Sequence, residues 1–344
     1  MKKAIMALGC LLLMFSGCGD SKADSCYSSG IEAIANGQYD EAVAQLEQMI
    51  ETGERLPEAY RAYGIAWMGK ESYPEAIAAF SRSLNSMDEE NTEFEKEVMF
   101  RLAEARLDSG QTEKALEVYS NILKKGADTT AFYLRGKLYM SQNDYERARE
   151  DFVRALDGCK DYNLYINIYQ IYTEKNKEMD GAEYLEMALN MEPETGEDYY
   201  HRGRIFEYQK EYEKAKDALI TSMNMEYADA MLLLGRIYLE MDDSGSAASL
   251  YREYLSAGDK DARAYNGLAI CDIYNGNYDS ALENISKGLD ENDEEERRSL
   301  LYNEIVAYEY KKDFVTAKSK ITAYLELYPD DAEALRENEF LSTR

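Results

Sequence analysis

Residues 60–84 read YRAYGIAWMGKESYPEAIAAFSRSL, and this stretch decides the fold. Tyr60, Tyr63-Gly64 and Trp67 recur at helical spacing. A short polar break follows at Lys70–Ser72, and a second helical pattern then runs through Ala76, Phe80 and Ser83-Leu84. Pro74 falls in the first turn of that second helix, where its missing N–H has no intrahelical partner to lose. Each helix spans only about a dozen residues, a length at which an isolated helix is marginal in water. Gly64 and Ala76 lack bulk where the two helices cross, so the backbones can approach closely. Tyr60, Trp67 and Phe80 fill the surrounding space, and full burial of such a side chain contributes roughly 1.5–3 kcal/mol. One hairpin still leaves an apolar face open, so neighbours must stack on it.

Working outward, the same break and restart returns along the chain. It reads Gly37-Gln38-Tyr39-Asp40-Glu41-Ala42, Gly110-Gln111-Thr112-Glu113-Lys114-Ala115, Asn143-Asp144-Tyr145-Glu146-Arg147-Ala148 and Lys210-Glu211-Tyr212-Glu213-Lys214-Ala215. Further copies start at Asp242, Gly276 and Lys312. The layout resembles the tetratricopeptide repeat, with its period of roughly 34 residues. The gap from Ala148 to Ala215 holds one more copy, marked by Tyr165, Tyr169, Tyr172, Leu185 and Ala188, with Gly181 or Ala182 in the small slot. The resemblance implies an all-α solenoid, a right-handed superhelix of stacked helical hairpins. About nine repeats are expected, near 25–56, 57–90, 94–127, 129–160, 162–194, 196–227, 228–259, 262–293 and 298–329, with a capping helix over 331–340. The first-helix glycine is present as Gly30, Gly64, Gly136, Gly203 and Gly235; Tyr169 and Ile305 are bulky there, which predicts looser or shifted packing.

Four prolines and the lack of any low-complexity segment in 344 residues leave no room for a disordered linker and predict one continuous array. With 39 Lys and Arg against 67 Asp and Glu, the formal charge is −28. Such a polyanion is repelled by phosphate backbones, and no basic stripe with interleaved aromatics offsets this, so nucleic-acid binding is not expected. Two acidic stretches, Asp88–Glu97 and Asp290–Glu296, read as loops. The second lacks the turn glycine and alternating ligands of a calcium loop.

The N-terminus reads as an address. Lys2-Lys3 precede an apolar run from Ala4 to Phe15, too short for a spanning helix, and then Ser16-Gly17-Cys18. This resembles a bacterial lipoprotein signal, which implies cleavage after residue 17 and lipidation of Cys18; Phe15 departs from the Leu commoner at that place. Residues 18–24 then form a polar tether, with helix beginning near Ser25. Two acyl chains suffice for stable anchoring at the outer face of the cytoplasmic membrane, where one does not.

Chemistry-bearing constellations are missing from the sequence. His201 stands alone beside tyrosines, reads as a surface residue and forms no triad with any Ser or Cys. No phosphate loop or metal motif occurs, so neither a catalytic centre nor a cofactor is expected. Cys26, Cys159 and Cys271 fall in the first, fourth and eighth repeats, too far apart along a solenoid to meet the ~5.5 Å a disulfide needs. Cys26 and Cys271 read as buried small hydrophobes, and Cys159 as a turn residue.

The family resemblance implies that first helices line a concave groove. One inward column then carries Tyr27, Arg61, Phe100, Tyr133, Tyr200 and Tyr302, and the next carries Lys137, Arg204 and Arg236. Tyrosines give rigid contact area with a hydroxyl, suited to an extended protein segment; some of them are equally expected to pack across neighbouring repeats. The inward cations are expected either to pair on their own helices, Arg204 with Glu207 and Arg236 with Glu240, or to meet an acidic group of a ligand. The set of Lys and Asn with which some family members grip a peptide carboxylate is not present as a unit. Two functions follow: a non-catalytic lipid-anchored scaffold for a protein or peptide partner, or a lipoprotein that captures a small molecule or envelope polymer. The lipid assignment is checked directly by labelled palmitate in producing cells. Cys18→Ala should lose all incorporation, and a variant that still takes up label would move the modification elsewhere.

Overall fold

The computed structural model describes residues 22–87, 92–258 and 260–344. Nineteen helices and no strands are present among the described residues. They divide into two compact units, one ending at Cys159 and one starting at Lys160. In a stack held only by nearest-neighbour contacts, such a division needs no separate linker.

The first unit holds four hairpins. They are α1 (Lys22–Ala35) with α2 (Tyr39–Thr52), α3 (Leu56–Gly69) with α4 (Tyr73–Asn85), α5 (Thr92–Asp108) with α6 (Thr112–Lys125), and α7 (Thr129–Ser141) with α8 (Tyr145–Ala155). The second unit holds five. These are α9 (Tyr162–Thr173) with α10 (Glu178–Leu189), α11 (Gly196–Tyr208) with α12 (Tyr212–Asn224), α13 (Asp229–Glu240) with α14 (Ser244–Ser256), α15 (Ala262–Tyr274) with α16 (Tyr278–Asp290), and α17 (Glu294–Tyr310) with α18 (Phe314–Leu327). A last helix, α19 (Ala332–Ser342), covers the end, with Ala334 and Leu341 buried against Ile305, Ile321 and Tyr324.

Three boundaries differ from the sequence reading. Helix α1 starts at Lys22, so residues 22–24 belong to the first hairpin and not to a tether. Ala23 is buried in its core, and Asp24 sits in the first turn, where the helix dipole favours an acid, bonded to Arg55 at 3.2 Å. Much of each acidic stretch is helical for the same reason: α5 begins at Thr92, and Glu294, Glu295 and Glu296 form the first turn of α17. Asp293 caps that turn by accepting from the backbone N–H groups of Glu295 and Glu296.

Every hairpin closes in the same way. One residue adopts the left-handed conformation just past the first helix: Gly37, Glu71, Gly110, Asn143, Asn176, Lys210, Asp242, Gly276 and Lys312. Its N–H and the next one bond back to carbonyls three and five residues earlier, as with Glu71 to Met68 and Ser72 to Trp67. Six of the nine carry a side chain there, so the pattern of backbone bonds outweighs the steric cost of the left-handed region.

The helix crossing is set by a pair sixteen residues apart. A Cβ on Gly64 would lie 2.5 Å from the Phe80 ring. The same holds for Gly30 against Leu46, Gly136 against Phe152, Gly203 against Leu219 and Gly235 against Tyr251. Tyr251 also fills the space beside Gly267 of the next hairpin, where a Cβ would come within 2.3 Å of its ring. The fifth hairpin, with bulky Tyr169 in the glycine slot, shifts as expected. Its small residue moves to the second helix as Gly181, whose added Cβ would lie 2.8 Å from Tyr172 and 3.2 Å from Tyr169. In the ninth hairpin, however, Ile305 and Ile321 are both fully buried. Two branched residues interlock there without loosening.

Gly64→Ala should therefore destabilise the first unit by about 1–3 kcal/mol, the range for overpacking a filled core. Gly126→Ala is the control, since nothing lies within 4 Å of its Cβ and its φ of 169° is extended backbone. It should change stability by no more than about 0.5 kcal/mol. Thermal melts of the two variants decide; equal losses would mean that the Gly64–Phe80 contact does not control the crossing.

Candidate functional site

Apart from the pair α5 and α7, first helices within each unit approach the first helices of neighbouring hairpins. Helix α1 reaches α3 and α3 reaches α5; α9, α11, α13, α15 and α17 form the corresponding row in the second unit. No two second helices approach to the same degree among the described residues. First helices therefore form the inner side of each stack, as the resemblance implied.

In the first unit, the inward residues largely bond to one another. Arg61 spans three helices. Its Nη2 donates to the Tyr27 hydroxyl at 3.1 Å and its Nη1 to Glu97 Oε2 at 2.8 Å, with the Phe94 ring 5.1 Å away. Phe100 packs on Tyr119 of its own hairpin at 6.1 Å, and Tyr133 on Phe152 at 6.2 Å. The exposed Lys137 ammonium lies 5.6 Å from the Tyr133 ring. These tyrosines and Phe100 thus serve packing as well as lining the surface.

In the second unit, the inner row is polar. Arg236 forms a two-pronged pair with Glu207, Nε to Oε1 at 2.7 Å and Nη2 to Oε2 at 2.8 Å. Glu207 belongs to the preceding hairpin, so the expected pairs along single helices do not form. Glu240 instead accepts from the Tyr212 hydroxyl at 3.1 Å. The gap between stacked first helices lets a guanidinium and a carboxylate meet fork to fork. Gln170 donates to the Tyr208 hydroxyl at 2.6 Å, and Asn303 to Asn266 at 2.8 Å, continuing the row. Tyr200 packs on Tyr227 at 5.2 Å and Tyr302 on Tyr324 at 5.8 Å.

Arg204 is the exception among the inward arginines. Its Nη1 donates to Asn163 Oδ1 at 2.8 Å and faces His201 Nδ1 at 3.2 Å, both neutral partners. Among the described residues no carboxylate lies within ion-pair distance of it. His201, read from the sequence as a surface residue, is only 6% exposed and stacks on Tyr162 at 5.9 Å. Burial first, and the Arg204 charge second, push its pKa below the ordinary imidazole value. A guanidinium donor faces Nδ1, while Nε2 lies 3.4 Å from the Asn163 amide nitrogen, also a donor, and 3.6 Å from Glu197 Oε1, so the neighbours of the two ring nitrogens do not single out one tautomer. The sequence carried no signal for the Asn163–Arg204–His201 contact, because Asn163 and Arg204 are 41 residues apart.

A separate surface depression lies in the first unit, lined by Leu116, Glu117, Ser120, Asn121, Lys124, Tyr139 and Arg147. Its Arg147 is already paired with Asp144 and stacked on Tyr139 at 4.5 Å. Cys18 lies outside the described residues. Among the described residues, no group of three or more metal-ligating side chains converges, and no helix is long and apolar enough to cross a membrane. No disulfide joins Cys26, Cys159 and Cys271 to one another.

Residues 27–91, 100–163 and 232–283, just over half of the chain, match the family model for the tetratricopeptide repeat. The chain belongs to that family, whose repeats suggest a scaffold for protein–protein interaction. It is similar to the BBSome complex member BBS4 homologue of Drosophila melanogaster, at 22% identity over 315 residues covering 89% of this chain. The chain spans only 58% of that relative's length. Among solved structures it is similar to a tetratricopeptide-repeat protein from Parabacteroides merdae, at 14% identity and a TM-score of 0.43, covering 82% of this chain and 98% of that one. It is also similar to YrrB, described as having an unusual peptide-binding site, at 21% identity and a TM-score of 0.37, covering 55% of this chain and 97% of that one.

The thiols give a check on the placement of these elements. Cys271 is buried, and its thiol is pushed up to about 12 by burial and by the neighbouring Asp272 carboxylate. Of these three thiols, a thiolate-directed reagent should therefore label Cys159 alone rapidly in the folded chain, with Cys26 and Cys271 reacting after denaturation. Rapid native labelling of Cys271 would contradict its burial.

Proposed function

We propose that this chain is a non-catalytic scaffold, anchored by lipid at Cys18, that holds a protein or peptide partner at the extracytoplasmic face of a bacterial membrane. The anchor rests on the signal-like Ala4–Cys18 stretch, and two acyl chains there would hold the protein stably at the bilayer. The binding reading rests on one observation: on a chain of formal charge −28, the inward Arg204 guanidinium has only neutral partners. A partner's acidic group would supply the missing countercharge, and the half-buried Tyr200 beside Arg204 would give it an aromatic wall. Arg236, already neutralised by Glu207, lacks no countercharge.

The test is partner capture from detergent-solubilised cells, using single variants. Arg204→Glu should reduce capture by at least about tenfold, because a like charge placed against a partner's acid repels it. Arg236→Glu should change capture little, since its side chain is 59% exposed and exposed pairs contribute little. Helical content should hold in both. Full capture by Arg204→Glu would remove this part of the groove from consideration and leave the ends around Tyr27 and Tyr302.

A further inference from the structure

Arg204 and Arg236 occupy the same place on successive first helices, six residues before the left-handed residue that ends each, Lys210 and Asp242. An arginine at this place reaches either end of the preceding first helix. Arg236 turns towards the C-terminal end of α11, where its Nε and Nη2 meet Glu207 fork to fork at 2.7 and 2.8 Å. Arg204 turns towards the N-terminal end of α9, where its Nη1 meets Asn163 at 2.8 Å. The counterparts of these two partners follow from the repeat. Thr173 of α9 stands where Glu207 stands in α11, three residues before the left-handed residue, Asn176 and Lys210 respectively. Asn163 stands where Glu197 stands. Arg236 therefore faces a helix with a glutamate at both places, and Arg204 faces a helix with a glutamate at neither.

The surrounding acids do not stand in for them. Glu207 is held by Arg236, and Glu240 accepts from the Tyr212 hydroxyl at 3.1 Å. Glu197, on the same helix as Arg204, lies 3.6 Å from His201 Nε2. Asp229 and Asp261 take Arg263 at 3.1 and 2.6 Å. Thr173 is exposed, and its hydroxyl is turned into its own helix, donating to the Tyr169 carbonyl at 3.2 Å. Arg204 Nη1 is engaged by Asn163 and faces His201 Nδ1. Among the described residues, no protein group bonds the other edge of the guanidinium, Nε with Nη2, which is the edge that Arg236 gives to Glu207.

We propose that Asn163 and Thr173 set the specificity of this part of the groove: because neither is an acid, the Nε–Nη2 edge of Arg204 is left for a partner's carboxylate, bound as Arg236 binds Glu207. The inference rests on the reading that Arg204 meets a partner. A planar carboxylate takes two parallel bonds from that edge at once, and the next repeat shows the arrangement already built. The Tyr200 ring, 6.0 Å from the Arg204 guanidinium carbon, flanks the site. A glutamate at 173 or an aspartate at 163 brings the countercharge into the chain itself and closes the site.

The full chain carrying Thr173→Glu or Asn163→Asp tests this by two readouts. The first needs no partner. p-Hydroxyphenylglyoxal attacks a guanidine that has lost its proton, and mass mapping of the adducts gives the rate at each arginine. Labelling of Arg204 should slow by roughly threefold or more in both variants, since an adjacent carboxylate favours the charged form. The second is partner capture, which should fall at least about fivefold in both, with Arg204 itself untouched. Thr322→Glu adds the same charge at an exposed second-helix threonine with the same bond back to its own helix, and should leave both readouts at native values. Two Gly/Ser peptides added in excess during capture separate the sources of the carboxylate. Displacement by one with a central Glu and an amidated end assigns a side-chain acid; displacement by one with a central Gln and a free C-terminus assigns a chain end. Unchanged Arg204 labelling or unchanged capture in the two variants, or displacement by neither peptide, would overturn the proposal. Loss of capture in Arg204→Glu but in neither variant leaves the partner contact standing and removes the role of residues 163 and 173. Capture that survives Arg204→Glu as well removes the partner contact itself.

Discussion

The structure depends on how closely two short helices can cross. In five hairpins a glycine on the first helix faces a Phe, Tyr or Leu sixteen residues on, with no room for even one more carbon. That pairing trades side-chain bulk on one helix for bulk on the other and so keeps the crossing distance nearly constant. Gly181 makes the same trade in reverse in the fifth hairpin. Constant spacing matters because each hairpin must present the same apolar face to the next. A single misfit would leave buried area unfilled on both sides of it.

Stacking also organises the charges. Arg55–Asp24, Arg61–Glu97, Arg236–Glu207, Arg263–Asp229 and Lys311–Asp279 join groups 29–36 residues apart, which is one repeat. Individually such exposed or half-buried pairs contribute about 1 kcal/mol or less. Collectively they commit many of the chain's scarce cations to register between neighbouring hairpins. Arg204 differs because Asn163 and His201 orient it without neutralising it.

Local rules carried the reading from sequence to fold. The break at Lys70–Ser72, the alanine that follows, and the recurrence of that pattern are properties of a few adjacent residues. They were enough for the hairpins, the final helix, the buried Cys26 and Cys271, and the first-helix inner face. Helix starts were less legible where acids cluster. Glu294–Glu296 resemble a solvated loop by composition, yet the same charges favour the N-terminal end of a helix.

The candidate site was legible only as columns of residues. By itself the sequence determined the helical periodicity and the repeat length, while the inward columns were what the resemblance to the repeat family implied. It also determined the strong excess of negative charge. Only the tertiary structure decided the partners. Glu207 bonds to Arg236 and not to Arg204, and His201 is buried beside Tyr162. Each of these contacts joins different helices about 25–40 residues apart, across gaps whose width is set by the stacking of whole hairpins. Helical periodicity fixes directions around one helix, but it holds no information about the distance to the next.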